Sequence, residues 1–323
     1  MADHDSRIVS LSAQQVRDLL CMKDVIRVVE SGLANFSKGP DGGVVQPVRS
    51  VVKIDKPDGQ TGQGFFGVMP AYSADDNILA CKIVSFYPGN AKYKKATHMA
   101  NIMVYDPKYG ELKAIMDGEV ITAMRTAAAS AVATKWLVPK TEEKLVLGIL
   151  GAGVQARSHY EALKVIYDFS EVRVWSLTME SAMKCADELG GVACLTAEDV
   201  VRGADIVVTA TFAQTPILKK IWVKPGAHIN AVGACRADWS EVDPELMRDS
   251  VIYVDSKEAA MKEAGDIIIS KADIYAEIGE IVNGSKEVKT DPITVFKSLG
   301  LGIEDAVTGK LAYEMYLAKS TKP

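Results

Sequence analysis

One segment, residues 144–156, limits the possible folds of this chain more than any other. It reads KLVLGILGAGVQA, in which an apolar run over 145–150 ends at the triplet GAG and a helical pattern begins at Val154. A buried strand, a tight glycine turn and a helix start, in that order, form the fingerprint of dinucleotide-binding folds. The glycine pattern alone is a weak signal, and its position between strand and helix makes it specific.

Three small residues in this segment have separate tasks. Gly151 permits the turn, Gly153 lets the backbone approach a pyrophosphate, and Ala156, at the third position, keeps helix and strand close. The phosphates would meet unpaired N–H groups and the positive end of the helix dipole. The segment therefore predicts that the chain binds a dinucleotide.

Strands and helices alternate after the fingerprint. Helices are predicted from Thr178 and from Thr196. Strands are predicted at 172–175, 206–209, 228–232 and 251–254. This rhythm is typical of a parallel, doubly wound sheet.

The first part of the chain has a different pattern. Ser12 and Gln15 form a capping box for a first helix, and a second helix is predicted from Asp24 to the Gly39-Pro40 pair. Strand patterns follow without intervening helices in VVQPVRSVVKI, GFFGVMPAYS, ILACKIVSFYP and NIMVYDPKYGELKAIMDG, the last of which is a hairpin. The pattern predicts an antiparallel, α+β first domain.

Two predicted helices mark the limits of the domains. The alanine-rich segment 119–137, which Pro139 ends, is predicted to bridge them, and a helix over 302–319 is predicted to pack back on the first domain. We therefore predict an α/β protein in which residues 1–127 and 303–323 form the α+β domain and residues 128–302 form a Rossmann-type domain with a doubly wound parallel sheet.

The bulk composition excludes several classes of function. The 323 residues are 48% hydrophobic and 24% charged with a net charge of −5, so no basic surface for nucleic acid or an anionic membrane is expected. The five cysteines are scattered without CxxC spacing, which indicates reduced thiols in a cytoplasmic protein and no metal site. The N-terminal MADHDSR has no signal-peptide core, and no stretch is long enough to span a bilayer.

The end of the second predicted strand bears on the choice of nicotinamide cofactor. NAD-specific sites normally place an acid there for the ribose 2′-hydroxyl. Residues 174–178 read VWSLT and contain no acid. The hydroxyls of Ser176 and Thr178 could instead bind a 2′-phosphate, with Lys184 as a charge partner, although Thr178 could equally be only a helix cap. We expect NADPH, with NADH as the alternative.

Three cationic residues of the first domain interrupt apolar or small-residue surroundings. They are Arg49, Lys82 and Arg125. A charge in a half-buried element must be paired or must face a cleft, so these residues indicate a pocket for a small carboxylate with Lys82 as a proton donor or acceptor. The alternative is solvent-facing positions on alternating strands and, for Arg125, an ordinary exposed position on a helix. Asp117 and His98 are weaker candidates.

Several longer stretches give the chain a specific resemblance. It resembles the ornithine cyclodeaminase/mu-crystallin family, and within it the NADPH-dependent ketimine reductases of the mu-crystallin type. The matching stretches, in order, are ANFSKGPDGGVVQPVRSVV, GVMPAYS, MDGEVITAMRTAAASAVATK, ILGAGVQARSHYEAL, WVKPGAHINAVGA, YVDSKEAAMKEAGD and TVFKSLGLGIEDAV. The resemblance implies that the first domain, with the C-terminal helix, binds substrate and forms a homodimer, and that the Rossmann domain binds NAD(P).

The resemblance also implies functional residues. Substrate contacts and support of proton transfer carry over to Arg49, Lys82 and Arg125. Cofactor contacts carry over to Gly151, Ala152, Gly153, Val154, Gln155, Ser176, Thr178, Thr209, Ala231, Val232 and Gly233, with Ser298, Leu299 and Gly300 closing over the nicotinamide.

The chain departs from the family pattern in two places. Cyclodeaminases carry an aspartate shortly after a strand-end glycine, where this chain reads Gly233-Ala234-Cys235. Without that carboxylate the ammonia-eliminating cyclisation loses a base, so reduction of cyclic ketimine carboxylates of the piperideine- or pyrroline-2-carboxylate type is the expected activity. Around the 2′-phosphate, mu-crystallins place an asparagine and an arginine, where this chain has Ser176 and Leu177.

Two other functions remain open at the level of sequence. An alanine- or opine-type amino-acid dehydrogenase would use the same pocket, because its reaction also passes through an imine beside a carboxylate. A thyroid-hormone-binding or lens-type structural protein would use the carboxylate pocket together with aromatic walls. The aromatic candidates are Phe65, Phe66, Phe86 and Tyr87, which in strands are more often plain core.

Overall fold

The computed structural model of the protein describes residues 8–54 and 64–320. The chain forms two compact units, Met1–Arg125 with Leu301–Pro323, and Thr126–Gly300. The segment MADHDSR, for which no signal-peptide core is expected, lies outside the described residues. Within the described ranges, every helix is too short or too polar to cross a bilayer.

The first unit contains a mixed sheet. Its strands are β1 (Val9–Leu11), β2 (Val44–Val45), β3 (Ser50–Ile54), β4 (Gly64–Ser73), β5 (Ile78–Phe86), β6 (His98–Tyr105) and β7 (Leu112–Asp117). The order is β1-β7-β6-β5-β4, and both β2 and β3 pair with β4. All pairs are antiparallel except β1 with β7. The predicted antiparallel, α+β domain is confirmed, and the parallel pair at this edge is an addition that the pattern did not indicate, because a three-residue strand is too short to show alternation.

Helices of the first unit start and end close to the predicted positions. They are α1 (Ala13–Leu19), α2 (Met22–Phe36) and α3 (Gly118–Leu137), the last of which continues into the second unit. The capping box of Ser12 and Gln15 is confirmed. α2 begins two residues before the predicted Asp24 and ends at Phe36, and a short 3-10 turn over Gly39–Gly42 begins where the predicted helix ends.

The second unit is built on a parallel sheet. Its strands are β8 (Leu145–Leu150), β9 (Phe169–Trp175), β10 (Val192–Ala193), β11 (Ile206–Thr209), β12 (His228–Ala231), β13 (Val251–Val254), β14 (Ile274–Glu277) and β15 (Thr294–Lys297). The order is β10-β9-β8-β11-β12-β15-β13-β14, and every described pair is parallel. The strand order reverses between β8 and β11, which is where doubly wound sheets bind nucleotides. The predicted α/β class with a Rossmann-type sheet is confirmed.

The helices of the second unit cover this sheet. They are α4 (Val154–Leu163), α5 (Met179–Leu189), α6 (Ala197–Val201), α7 (Pro244–Arg248), α8 (Lys257–Glu263), α9 (Gly265–Ser270) and α10 (Ile278–Val282). The strands β10, β14 and β15 were not predicted. β15 is an inner strand of only four residues that ends in the buried Lys297, so its sequence lacks the apolar run that indicates a buried strand.

The last helix, α11 (Gly302–Ser320), belongs to the first unit. It packs against α2 and against β4, β5 and β6. Gly32 on α2 allows the close approach, since a Cβ there would lie 3.3 Å from a side-chain carbon of Ile303. The N–H of Ile303 donates to Oε1 of Gln46 at 2.7 Å, which fixes the start of α11. This packing determines the position of the first turn of α11 relative to the sheet of the first unit.

Two buried histidines of the second unit are held as neutral rings. Nδ1 of His159 lies 2.8 Å from the carbonyl oxygen of Gln155, which can only accept, so this nitrogen carries the hydrogen and Nε2 accepts from Ser130 Oγ at 2.9 Å. Nδ1 of His228 lies 2.8 Å from Thr294 Oγ1. Burial lowers the pKa of His159 and of His228 from 6.5 to about 4.

The lowered pKa values of these two histidines predict that the protein loses stability on acidification. The unfolded chain binds their protons near the ordinary pKa of about 6.5 and the folded chain only near about 4, so the free energy of unfolding falls as pH decreases through that window. We expect the urea concentration at the midpoint of unfolding to decrease when the pH is lowered from about 7 to about 4.5. The decrease should be smaller in His159→Gln. Equal pH dependence in the two proteins would contradict the assignment.

Candidate active site

Strand β5 places Lys82 inside the first unit. Residues of β5 alternate between a buried and a half-buried face, and Lys82 lies on the buried face with Ala80 and Val84. Its side chain is 3% exposed, and its Nζ lies 2.6 Å from Oδ2 of Asp305. The alternative of a solvent-facing Lys82 is therefore wrong. A lysine at such a position needs a counter-ion, and the first turn of α11 provides it.

Arg125 joins the same pair of elements. Its Nε donates to Oδ1 of Asp305 at 3.0 Å, and its Nη1 donates to Oε2 of Glu304 at 2.8 Å. The alternative of an exposed helical position is wrong, since Arg125 is only 5% exposed. The reason is that α3 is buried along most of its length among small residues, so the only long polar side chain in its middle reaches the acids of α11.

We call Lys82, Arg125, Glu304 and Asp305 the charge cluster. It contains two cations and two anions, all of them buried. The two acids lie in the first turn of α11, where the helix dipole stabilises negative charge. Burial, and next the positive charge of Arg125, lower the pKa of Lys82 to about 8, while Asp305 opposes the shift. The ammonium therefore loses its proton within the range in which enzymes work.

Arg49 adds positive charge to this neutral cluster. It is half-buried and directly precedes β3. Its charge also contributes to the lowered pKa of Lys82, so the two groups interact electrostatically. Arg49 therefore adds a third cation to the two of the cluster, and guanidinium and ammonium groups attract carboxylates. Arg49, Lys82 and Arg125 are thus brought together in one unit.

His98 and two aromatic rings share the face of the sheet on which Lys82 lies. His98 pairs with Phe86, and the Phe86 ring lies 5.4 Å from that of Phe65. Burial, and next the charge of Lys82, lower the pKa of His98 to about 4, so its ring is neutral. Phe66 points to the opposite face and is 38% exposed, and Tyr87 follows the end of β5. Hormone binding by these aromatics stays a prediction.

Asp117, a weaker candidate, has a structural role. Its Oδ1 accepts the N–H of Val120 at 2.9 Å and so satisfies a donor in the first turn of α3. The residues that sequence reasoning missed are Glu304 and Asp305. Their signal was present, because two adjacent acids between Ile303 and Ala306 interrupt an apolar helix start. Their partner Arg125 lies 179 and 180 positions earlier in the chain, and Lys82 lies earlier still, so the pairs could not be identified from sequence.

The glycine turn of the second unit has the geometry that its sequence predicts. Gly151 has a φ of 123°, and a Cβ there would collide with the carbonyl oxygen of Ala210. Gly153 is the N-cap of α4 and has open space around its Cβ position. Ala156 is fully buried. The backbone can therefore be approached closely at Gly153, and no side chain caps this end of α4.

Side chains from α4 fix the same turn. Nη1 of Arg157 donates to the carbonyl oxygens of Ala152 and Gly153 at 2.7 and 3.1 Å, and its Nε is paired with Glu188. Val154 is exposed and Gln155 is half-buried at the start of α4. The carbonyl groups of Ala152 and Gly153 are thus bound by Arg157, and this contact holds the turn in one conformation.

The end of β9 carries hydroxyls and no acid. Thr178 is the N-cap of α5, accepts the N–H of Ser181 at 3.4 Å and donates to Ser181 Oγ at 2.7 Å. Ser176 is half-buried, and Leu177 is 91% exposed. Thr178 therefore caps α5, as one of its two interpretations predicts. The hydroxyl-bearing residues Ser176 and Thr178 follow the end of β9.

The remaining predicted cofactor residues lie at neighbouring strand ends. Thr209 and Ala231 are the last residues of β11 and β12 and are fully buried. The N–H of Val232 donates to the carbonyl oxygen of Thr209 at 2.9 Å, and the N–H of Gly233 donates to Oε2 of Glu241 at 2.7 Å. These residues, like Gly151 and Ser176, lie at the carboxyl edge of one parallel sheet.

The segment after β15 is held by a buried acid. Oδ2 of Asp255 accepts the N–H groups of Leu299 and Gly300, each at 2.6 Å. The N–H of Ser298 donates to the carbonyl oxygen of Ala231 at 3.0 Å, and its hydroxyl is buried with no hydrogen-bond partner among the described residues. This segment is therefore fixed by its backbone at the carboxyl edge of the sheet.

Comparisons with known proteins agree with this architecture. The model of the ornithine cyclodeaminase/mu-crystallin family matches residues 7–320. Ketimine reductase mu-crystallin of Mus musculus is 52% identical over 309 residues, which are 95% of this chain and 96% of that protein.

Two solved structures are similar over nearly the whole chain. Δ1-pyrroline-2-carboxylate reductase of Thermococcus litoralis, in complex with NADH and L-proline, has a TM-score of 0.89 and 39% identity over 97% of this chain and 98% of that chain. An archaeal alanine dehydrogenase dimer with bound NAD has a TM-score of 0.86 and 30% identity over 98% of both chains. The match of the family model to nearly every residue, with this identity, settles the classification: the chain belongs to the ornithine cyclodeaminase/mu-crystallin family.

Proposed function

We propose that this protein is an NAD(P)H-dependent reductase of the C=N bond of small cyclic ketimine carboxylates of the piperideine- or pyrroline-2-carboxylate type. The observation that carries the proposal is the buried Lys82, whose pKa is lowered to about 8 and which interacts electrostatically with both Arg125 and Arg49. A relative with 52% identity is a ketimine reductase. A structural relative reduces pyrroline-2-carboxylate and holds NADH with L-proline.

Arg49 is the principal carboxylate ligand in this proposal. Arg125 donates two of its N–H groups to Glu304 and Asp305, so part of its fork is already used in orienting the cluster. Arg49 is half-buried, whereas Lys82 and Arg125 are buried, and a guanidinium can hold a carboxylate with two parallel hydrogen bonds. Arg125 orients the cluster and adds its positive charge to the attraction of the carboxylate. Such a grip orients the substrate ring relative to the incoming hydride.

Lys82 holds the proton that the reduction needs. A protonated imine accepts hydride better than a neutral one, and the product amine retains that proton. The Nζ of Lys82 is fixed by Asp305 at 2.6 Å, and with a pKa of about 8 it can donate a hydrogen bond or a proton to the imine nitrogen near neutral pH. The neutral ring of His98 on the same face adds no competing charge.

The second unit fits a nicotinamide dinucleotide. When bound, NAD(P)H supplies the hydride that reduces the imine carbon. The open backbone at Gly153 and the uncapped start of α4 suit the pyrophosphate. We propose that Gly151, Ala152, Gly153, Val154 and Gln155 bind the phosphates, and that the residues at the ends of β11, β12 and β15 bind the nicotinamide side.

We further propose that NADPH is preferred over NADH. An acid at the end of β9 would repel a 2′-phosphate, and this strand end offers the hydroxyls of Ser176 and Thr178 instead. The exposed Leu177 leaves that position accessible. The absence of an acid at this strand end supports the preference, and the structural relatives named above hold NADH or NAD.

An amino-acid dehydrogenase is the second candidate. The observation in its favour is the likeness to an archaeal alanine dehydrogenase, whose chain aligns over its full length at 30% identity. The same carboxylate grip and the same proton would serve oxidation of alanine. A reductase of cyclic ketimines, by contrast, needs a substrate site that is large enough for the substrate ring.

We also propose that the protein is a homodimer that pairs through the first unit. β3 exposes apolar side chains on both faces, with Val51 and Val52 45% and 60% exposed, and Phe66 on β4 is 38% exposed. A strand of this kind is normally covered, because exposed apolar edges promote association. The archaeal alanine dehydrogenase is a dimer.

The activity can be tested by titrating NADPH and NADH separately with a cyclic ketimine and following cofactor oxidation. We expect turnover of piperideine- or pyrroline-2-carboxylate with either cofactor and a lower KM for NADPH. Oxidation of free alanine by NAD should be much slower. Fast alanine oxidation without ketimine reduction would favour the dehydrogenase instead.

Loss of Arg49 should weaken transition-state binding. Removal of a charged hydrogen bond in Arg49→Ala is expected to cost about 1.5–3 kcal/mol in kcat/KM, mostly through KM for the ketimine. The control is Arg27→Ala, because Arg27 is an exposed arginine of the same unit that forms a surface ion pair with Asp24 at 3.7 Å. Unchanged kinetics in Arg49→Ala would remove Arg49 from the site.

The pH profile of reduction should report Lys82. Since its pKa is lowered to about 8, we expect kcat/KM to fall as pH rises through about 8. Lys82→Arg keeps its charge at higher pH, so this decline should disappear from whatever activity remains. A decline near the same pH in Lys82→Arg would assign it to the substrate imine and not to Lys82.

The oligomeric state is measurable by light scattering coupled to gel filtration. The wild-type protein is expected to be a dimer, and Val52→Lys is expected to shift it towards the monomer by burying a charge in the interface. Val192→Lys is the control, because Val192 is 54% exposed in the second unit. A monomeric wild type, or equal effects of the two substitutions, would contradict the proposed surface.

A further inference from the structure

A buried carboxylate of the second unit has no place in the reaction as described. Glu241 is fully buried, and each of its oxygens accepts two hydrogen bonds. Oε1 accepts from the N–H and the hydroxyl of Thr211, both at 2.6 Å. Oε2 accepts from the hydroxyl of Thr209 at 2.9 Å and from the N–H of Gly233 at 2.7 Å. The carboxylate thus connects the ends of β11 and β12.

Glu241 is itself held in place by a second buried acid. Its N–H donates to Oδ1 of Asp266 at 2.8 Å. Oδ2 of Asp266 lies 3.1 Å from Nζ of Lys297, and both side chains are fully buried. Lys297 is the last residue of β15. The acids and the lysine therefore join the carboxyl ends of β11, β12 and β15.

These strand ends lie on one side of the glycine turn. In a doubly wound sheet the adenosine ribose lies at the strand next to the fingerprint strand, here β9, and the pyrophosphate lies at the turn after β8. The rest of the dinucleotide then extends over the strands on the other side of β8. In this sheet those strands are β11, β12 and β15, in that order.

A network of this kind is costly unless it is needed. Burial raises the pKa of Glu241, and the positive charge of Lys297 and the hydrogen bonds from Thr211 oppose that rise. A core that only had to be stable could use apolar residues here, as the sheet does in β11 at Ile206, Val207 and Val208. The charged groups are instead collected at the edge where the cofactor is proposed to bind.

We propose that Glu241 is a positioning residue for the nicotinamide half of the cofactor. It fixes the backbone from Thr209 to Thr211 and at Gly233, so that these strand ends have the conformation that binds the ring, and it does not contact the ring itself. This inference rests on the proposed function. It predicts that Glu241 affects binding of the nicotinamide half of the dinucleotide and not binding of the adenosine half.

The isosteric variant Glu241→Gln tests the role. The N–H groups of Thr211 and Gly233 can only donate, and they point at different oxygens of Glu241. Whichever way the glutamine amide is oriented, its NH2 therefore faces one backbone N–H that then lacks an acceptor. The variant keeps the volume of the side chain and disturbs only one strand end.

The readout is binding by calorimetry, with no catalysis involved. The ligands are NADPH or NADH, whichever the wild type binds more tightly, and its adenosine fragment, adenosine 2′,5′-bisphosphate or ADP. We expect Glu241→Gln to bind the dinucleotide about tenfold or more weakly and to bind the fragment as the wild type does. Equal weakening of both ligands, or wild-type affinity for both, would overturn the proposal.

A matched control lies at the opposite edge of the same sheet. Oδ2 of Asp205 accepts the N–H of Val146 at 2.7 Å, so it also connects two neighbouring strands, β8 and β11, but at their amino ends. Asp205→Asn should lower the melting temperature and leave both affinities unchanged. A selective loss of dinucleotide binding in Asp205→Asn would show that Glu241 has no special position.

Two further outcomes have defined meanings. If Glu241→Gln does not fold, Thr211→Val removes one of the four donors and is expected to weaken dinucleotide binding about threefold, with the fragment unaffected. Wild-type affinity in Thr211→Val would then overturn the inference. A wild-type protein that binds neither dinucleotide would reject the proposed function, whereas dinucleotide binding that Glu241→Gln leaves intact rejects only the role of Glu241.

Discussion

The ion pairs between the first turn of α11 and the cations of β5 and α3 are the constraint on which the first unit depends. Lys82 and Arg125 are buried, and neither could be so without Asp305 and Glu304. Loss of one partner from a buried pair typically costs about 3–5 kcal/mol, because an uncompensated charge is left inside. The C-terminal helix therefore has to return to the first unit.

The same constraint gives the site its charge. Arg49, Lys82 and Arg125 interact electrostatically in this unit, and we propose that these three cations favour a substrate with a carboxylate. Asp305 holds both Lys82 and Arg125, so the proposed proton-carrying group and one proposed carboxylate ligand are oriented by a single side chain. A substrate with a carboxylate next to an imine has the two groups that such an arrangement recognises.

In the second unit, buried acids also hold their partners in place, but these partners are backbone N–H groups. Buried acids hold the backbone at the carboxyl edge of the parallel sheet, Glu241 after β11 and β12 and Asp255 after β15. Arg157 does the same for the carbonyl groups of the glycine turn. The groups proposed to meet the cofactor are mostly backbone, and the side chains that orient them are buried behind them.

Much of the fold could be predicted from local sequence patterns, whereas the candidate site could be predicted from them only in part. The strand before Gly151 and the capping box at Ser12 have strong local signals, and both are confirmed. β1, β14 and β15 are three or four residues long and carry no periodicity that could be recognised. Arg125 was identified as a charge in small-residue surroundings, but its burial depends on acids 179 and 180 positions later.

Recognition of a carboxylate by Arg49, together with Lys82 and Arg125, is the central proposal, and one calorimetric comparison tests it most directly. L-proline and L-prolinamide differ in the carboxylate, while both keep the ring and a protonated amine near neutral pH. In the presence of the oxidised cofactor, we predict that L-proline binds and that L-prolinamide binds at least about tenfold more weakly. Equal affinities for the two ligands would contradict the claim.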